Sequence, residues 1–490
     1  MIGGLRVGLK RGFPSPSLDR RAVAVVLFAL LSGVAVPLLP IPFAVPAALG
    51  VAATVAIGIA LRLGRWLTVV AVIALPIFGA YSEIVPTNEL SPLKDVLIGV
   101  ALLVSIAEPR AVARAVASWN VADSAMLLLI STYVLYLPFA PSALQGLFGF
   151  KVTVWYASFY VLARLHAPNL SLRALELTLS IAFVLFAVWE IMSATILFDR
   201  LPLLSASGRP LWDPPTRVHF SDGMQPVALG FLFGAWSLLF RRIVSPVGWA
   251  LVTLCGYLML FAQNRTALVV AGSGLVYIIL SRSSTRNARA FWSILLLTVF
   301  VLFVMSGAAV GVFEPGAPLQ LITLRVRVDD LFENLIPALL SSPFGTGAGT
   351  VAGTQATFTF KELTSGDSAR VFFDSGFLSL ALEIGLLPPL LLGAFFLAVL
   401  VRCAEAAFAH RSSFTAFCGA VITGFLLSNL VNPAIYQFPF NALAWFMAGV
   451  AVSAASSSVS GHWPGGSTPG RSPRDAPDHK RRTGNTDSGS

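Results

Sequence analysis

Charged residues are scarce in this sequence: Asp, Glu, Lys and Arg make up 11% of its 490 residues, against roughly 25% in an average soluble domain. That shortage excludes an ordinary water-exposed globular surface. Cysteine is scarcer still. Cys255, Cys403 and Cys418 all fall in or beside apolar stretches, with no CxxC pair and no histidine cluster near them, so neither a disulfide framework nor a metal site is indicated. No internal repeat is visible, which disfavours transporter folds built from duplicated halves. Alternation of apolar and polar residues is also missing. The run MLLLISTYVLYL at 126–137 is continuous, and continuous runs exclude a transmembrane barrel.

Apolar residues are abundant, at 56% of the chain with a mean hydropathy of +0.80. Runs of about 17 to 25 residues, enough to cross ~30 Å of hydrocarbon as helices, recur from residue 22 to residue 455. The sequence therefore predicts an all-α, polytopic helical membrane protein. About fourteen spans are expected, centred near 30, 52, 74, 100, 129, 155, 185, 232, 254, 274, 299, 388, 421 and 446. The first run follows Lys10, Arg11, Arg20 and Arg21 and reads as a signal anchor, because no small-residue cleavage pattern follows it before the next span.

The formal net charge is +10, and its distribution points to a membrane rather than to nucleic acid. Basic residues gather in short connections: Arg62 with Arg65, Arg110 with Arg114, Arg164 with Arg173, Arg241 with Arg242, Arg282 with Arg286 and Arg289, Arg402 with Arg411. These alternate with nearly uncharged connections, as cytoplasmic and external loops do. The expected organisation is a cytoplasmic segment 1–21, a transmembrane domain 22–455 and a disordered, Ser/Gly/Pro-rich cytoplasmic tail 456–490. Two external loops, 199–226 and 311–373, stand out by length, the second preceding the twelfth span. Long polar loops on a helical scaffold are where binding and chemistry concentrate.

The candidate residues lie mostly in those loops. Arg265, in FAQNRTALVV, is placed at an external span end, where it either snorkels to the interface or offers a planar fork to a phosphate or diphosphate. Arg325 and Arg327 lead the amphipathic stretch VDDLFENLIPALLSS, as salt-bridge partners of Asp329, Asp330 or Glu333 or as further anion ligands. SPFGTGAGT at 342–350 is a tight glycine-rich turn without the Lys-Ser/Thr step of a phosphate-binding P-loop. Arg217 and His219 occupy the other external loop, and Arg370 closes the large one. Lys151 and Glu190 read as helix-packing contacts or as parts of a proton path. Asp374 opens the apolar run DSGFLSLALEIGLL, either as a helix N-cap or as a surface carboxylate able to take a proton from an attacking hydroxyl.

The order of these pieces resembles the bacterial O-antigen polymerase and O-antigen ligase superfamily of polytopic membrane glycan polymerases and ligases. FAQNRTALVV is similar to that family's Ser-Arg-Gly/Thr step, with Asn264 in place of Ser. SPFGTGAG resembles its Pro-Leu-Phe-Gly-x-Gly element, and DSGFLSLALEIGLL its His-Asn-x-Tyr-Leu and Glu-x-Gly pattern. RVHFSDGMQPVALG is similar to the segment before an earlier span. In motif terms the resemblance covers about 200 to 400.

The resemblance implies an enzyme of the bacterial cytoplasmic membrane acting on undecaprenyl-diphosphate-linked glycan donor and acceptor, with a chain-length regulator as a further partner and no metal, cofactor or nucleic acid. Aligning Leu378, Glu383 and Gly385 sets Asp374 where the ligases carry the histidine assigned as their base. That departure favours a polymerase of O-antigen or exopolysaccharide repeats over a ligase acting on lipid A or protein. A lipid-linked oligosaccharide flippase is the alternative from another class; it expects functional charges near the bilayer midplane. On the polymerase reading Arg265 and Asp374 are catalytic, and Arg217, His219, Arg325, Arg327 and Arg370 bind substrate.

Overall fold

The computed structural model describes residues 56, 58–59, 61–84, 91–194, 224–240, 242, 244–262, 265–282, 336–350, 375–409 and 413–459. Among these the secondary structure is helical, with no strand. The helices are α1 (Gly64–Ile84), α2 (Ser91–Ile106), α3 (Pro109–Ala117), α4 (Val121–Tyr136), α5 (Ala143–Thr153), α6 (Ser158–His166), α7 (Leu172–Ala194) and α8 (Met224–Leu239). They continue with α9 (Ser245–Ala262), α10 (Arg265–Arg282), α11 (Ile336–Ser341), α12 (Gly376–Ile384), α13 (Leu387–Ala404), α14 (Ser413–Val431) and α15 (Phe440–Val459).

Among the described residues, five segments are long and apolar enough to cross a membrane: Val121–Phe139, Gln145–Asn169, Leu172–Met192, Leu387–Ala407 and Ser413–Leu430. A sixth arises if α2 and α3 count as one span, although Pro109 opens α3 and the two meet at 81°. Shorter apolar helices occupy Gly64–Gly79, Met224–Leu239, Ser245–Met259, Thr266–Arg282 and Phe440–Ala454. The spans expected near 30, 52 and 299 lie outside the described residues, except for residues 56, 58 and 59. α8 begins at Met224, inside the expected loop 199–226, because Gln225 and Pro226 are buried in its first turn, where proline is tolerated. α15 continues through small residues to Val459, past the expected tail boundary at Ser456. Segment 1–21 and the rest of the tail lie outside the described residues.

The helices are apolar on both sides. Inward, Phe183, Phe233, Trp236 and Phe417 form one buried aromatic cluster and Phe395, Phe396, Phe425 and Trp445 another, with ring centroids 4.8 to 6.4 Å apart. Outward, Leu128, Leu135, Leu390, Leu397 and Trp249 are half-exposed or more. In water such a girdle would aggregate, whereas in hydrocarbon it needs no partner. With little hydrophobic drive between helices in lipid, close approach comes from small residues. A Cβ on Gly234 would stand 2.7 Å from the Gly248 carbonyl across the α8–α9 contact, and one on Gly449 would stand 2.5 Å from the Tyr160 carbonyl across α6–α15.

The bundle has two chemically different ends. At one, the Gly64 amide donates to Glu108, Arg114 reaches Asn169, and Arg242 pairs with buried Glu176 at 2.6 Å. Arg164 meets Asp123 at 2.9 Å and donates to the Ser118 carbonyl, while Tyr160 donates to the other Asp123 oxygen. Asp123 also completes a capping box with Asn120 at the start of α4. This end collects the described members of the arginine-bearing connections. The other end carries the α4–α5 turn, residues 342–350, α12, the start of α10 and the segment 428–441.

If the positive-inside rule sets orientation here, cysteine placed at exposed Ala117 stays unreactive to an impermeant maleimide in intact cells, and cysteine at exposed Ala143 reacts. The native cysteines are buried and contribute little background. Labelling of Ala117→Cys with protection of Ala143→Cys reverses the orientation.

Candidate functional site

The glycine-rich turn sits on the C-terminal end of α12 rather than standing free. Gly345, Gly347 and Gly349 have φ of 84°, 117° and 79°, in the region that excludes most side chains. That conformation aims the Thr346 amide at the Leu382 carbonyl (2.7 Å) and the Gly347 amide at the Glu383 carbonyl (2.9 Å), satisfying helix-end acceptors. A Cβ at Gly345 would come within 2.6 Å of the same Glu383 carbonyl. Gly385, at φ 80°, then breaks the chain between α12 and spanning α13. The single span expected to open at Asp374 is therefore two helices, because the turn takes up the carbonyls with which α12 would continue.

Glu383 is fully buried at this junction. Its Oε1 accepts from the Tyr133 hydroxyl of α4 at 2.6 Å and from the Gly349 amide, and its Oε2 accepts from the Tyr436 hydroxyl at 2.9 Å. Three donors leave the carboxylate satisfied, and they tie α4, the glycine turn and segment 428–441 to α12. Gln145 of α5 adds a bond from its amide to the Gly349 carbonyl, 2.8 Å. α12 precedes the spanning helix. Burial there pushes the Glu383 carboxyl up to about 7, with the Tyr133, Gly349 and Tyr436 donors pulling in the opposite direction.

The segment 428–441, SNLVNPAIYQFPFN, connects the pieces at this end. Asn429 is buried; its carbonyl accepts from the Ser375 hydroxyl at 3.1 Å, and its side-chain oxygen accepts from the Ile435 amide at 2.8 Å. Asn432 donates to the Thr266 hydroxyl at 3.4 Å and accepts from Gln437 at 2.9 Å. Tyr436 reaches Glu383, and Phe438 packs on Tyr156 at 4.9 Å. Buried Asn441 donates to the Ile435 carbonyl at 2.8 Å.

Against this frame the expected site residues fall as follows. Arg217, His219, Arg325, Arg327, Arg370 and Asp374 lie outside the described residues. Arg265 is the first residue of α10, its side chain outside the described atoms; its neighbour Thr266 bonds to Asn432. Ser375, next to Asp374, occupies the N-cap position of α12 and bonds to Asn429. The residues flanking Arg265 and Asp374 thus hang on one short segment. Of the amphipathic stretch, only its end is described, as α11. Lys151 pairs with Asp95 at 2.7 Å, and Glu190 is buried.

Reading the sequence did not single out Tyr133, Tyr436, Asn429 or Lys94. A signal was present, since Asn429, Asn432, Gln437 and Asn441 cluster between two apolar runs, and buried amides there need partners. No protein-family model matches the chain, and no match emerges from comparison with curated proteins.

Glu383→Ala strands three donors. At about 1–3 kcal/mol for each unsatisfied buried group, it should lower stability by ~3 kcal/mol or more, read as a large fall in melting temperature in detergent. The pH dependence has a definite sign. The folded carboxyl holds its proton above the unfolded value of 4.5, so its contribution to stability is full below that value and is lost as pH rises through about 7. Melting temperature should fall over that interval, and Glu383→Gln should remove that part of the slope.

Proposed function

We propose that this chain is a membrane glycosyltransferase that polymerises polyprenyl-diphosphate-linked oligosaccharide repeats, of the O-antigen or exopolysaccharide type, at the outer face of a bacterial cytoplasmic membrane. One observation carries the reading: pieces that resemble the polymerase and ligase superfamily meet at the less basic end of the bundle. The glycine element wraps the Glu383–Gly385 step, while Thr266 and Ser375, beside Arg265 and Asp374, bond to the same segment. The described neighbours of Arg265 and Asp374, Thr266 and Ser375, stand at a bundle end, whereas a flippase expects its functional charges near mid-depth.

In the reaction, the acceptor sugar hydroxyl attacks the anomeric carbon of the donor glycan. The bond from that carbon to the carrier diphosphate oxygen breaks, and the hydroxyl proton passes to Asp374. The departing undecaprenyl diphosphate gains negative charge, which Arg265 stabilises together with Arg325 and Arg327, with Arg217, His219 and Arg370 as further substrate ligands. Fixed guanidinium groups act more strongly on the transition state than on the ground state, because charge on the leaving oxygen is still developing. The diphosphate is already an activated leaving group, so the reading calls for neither a nucleotide sugar nor a metal.

Cells lacking the chain should accumulate single carrier-linked repeats in a glycan length profile, and intact protein should restore long glycan. Arg265→Ala should cut polymer formation roughly 100-fold, the scale for losing one preorganised charge-stabilising donor, with membrane insertion unchanged; Asp374→Ala tests the base. Full-length polymer stranded on the carrier in the deletion would make the enzyme a ligase. A normal profile there would end the reading.

A further inference from the structure

Lys94, in the first turn of α2, is the most anomalous side chain outside the residues just assigned. It is 8% exposed, and among the described residues its ammonium has neither a hydrogen bond nor an ion pair. What it has are ring faces: the Phe438 centroid lies 4.2 Å from Nζ and the Tyr156 centroid 5.6 Å away. The adjacent carboxylate pairs through one oxygen with Lys151, Asp95 Oδ2 to Nζ at 2.7 Å, while its buried Oδ1 has no hydrogen bond among the described residues. Among the described residues, two ammonium groups share one carboxylate here.

Helix polarity adds to the imbalance. Lys94 stands at the amino end of the sixteen-residue α2, where the helix dipole is positive and free amides favour anions over cations. Aromatic faces stabilise an ammonium by much less than its lost hydration. A buried cation at a helix amino terminus, without an anionic partner of its own among the described residues, is suited to receive an anion. The lysine ammonium is a compact point charge with three donors, well suited to a phosphate oxygen.

Position links this pocket to the candidate site. Phe438, under the ammonium, belongs to the segment that holds Ser375 through Asn429 and Thr266 through Asn432. We propose that Lys94, at the amino end of α2, binds a phosphate group of a diphosphate-bearing lipid, an inference that rests on the polymerase reading for the identity of that lipid. It adds a cation on α2, remote in sequence from the arginines assigned above. Lys151, held by Asp95, provides the positive flank of the pocket.

The test uses the full chain in phosphatidylcholine nanodiscs, with farnesyl diphosphate and inorganic pyrophosphate as separate probes in a binding titration. Lys94→Met, similar in length and able to lie on the same rings, should weaken farnesyl diphosphate binding by about 10-fold or more, the scale of one charge-assisted hydrogen bond. Lys94→Arg should stay within a few-fold of wild type. Removing an unpaired buried cation should leave the melting temperature of Lys94→Met at or above that of wild type. Unchanged binding in Lys94→Met overturns the proposal and leaves the polymerase reading to the glycan profile; absence of diphosphate binding by wild type overturns both. Pyrophosphate binding as tightly as farnesyl diphosphate overturns the lipid as the ligand. A fall in melting temperature that Lys94→Arg repairs, without any change in diphosphate affinity, makes Lys94 structural and overturns the site.

Discussion

The carboxylate of Glu383 is the interaction on which the less basic end of the molecule depends. A buried carboxylate in an apolar bundle is tolerated only when its oxygens are engaged, and here the partners come from three places far apart in the chain: Tyr133, Gly349 and Tyr436. Each partner belongs to a different element, so satisfying one charge fixes the relative placement of α4, the glycine turn, α12 and segment 428–441. The positive-φ glycines follow from that requirement. A turn that must present its amides to the α12 carbonyls, and Gly349 to the carboxylate, passes too close to the backbone for side chains at those positions.

The opposite end is held by a different chemistry. Asp123–Arg164 and Glu176–Arg242 are buried or partly buried pairs whose arginines also cap helix carbonyls or lie on aromatic faces. Such pairs add little net stability over apolar packing, yet losing one partner is costly, so they specify which helices meet. Among the described residues, one end is thus rich in arginine and locked by ion pairs, and the other is organised by an amide-and-tyrosine network around Glu383, with the Asp95–Lys151 pair beside it.

Segment 428–441 gives that end its geometry. Its asparagines are consumed in positioning: Asn429 fixes the start of α12 through its backbone carbonyl, Asn432 the start of α10 and Asn441 the segment itself through their side-chain amides. A site assembled this way has its spacing set by short-range bonds to a buried hub, and precise spacing is what transition-state stabilisation requires. Lys94 departs from the pattern, because among the described residues it is buried against the hub without a polar partner of its own.

Long apolar runs and scarce charge determined, from the sequence alone, an all-helical chain able to cross a membrane, and the spacing of arginine pairs determined that its connections alternate in character. Those properties depend on local composition and on solvent, so they can be read without knowing which residues touch. The glycines of SPFGTGAG and the Glu383–Gly385 step were also visible, but as separate motifs. Only the tertiary structure decided that the turn docks on α12, that the run opening at Asp374 breaks at Gly385, and that Tyr133, 250 residues before Glu383, is its partner. It also decided that Asp95 pairs with Lys151, while Lys94 lies on the rings of Phe438 and Tyr156. The reason is physical: a buried charge is judged by what surrounds it in space, and periodicity along a chain cannot report which distant donors arrive.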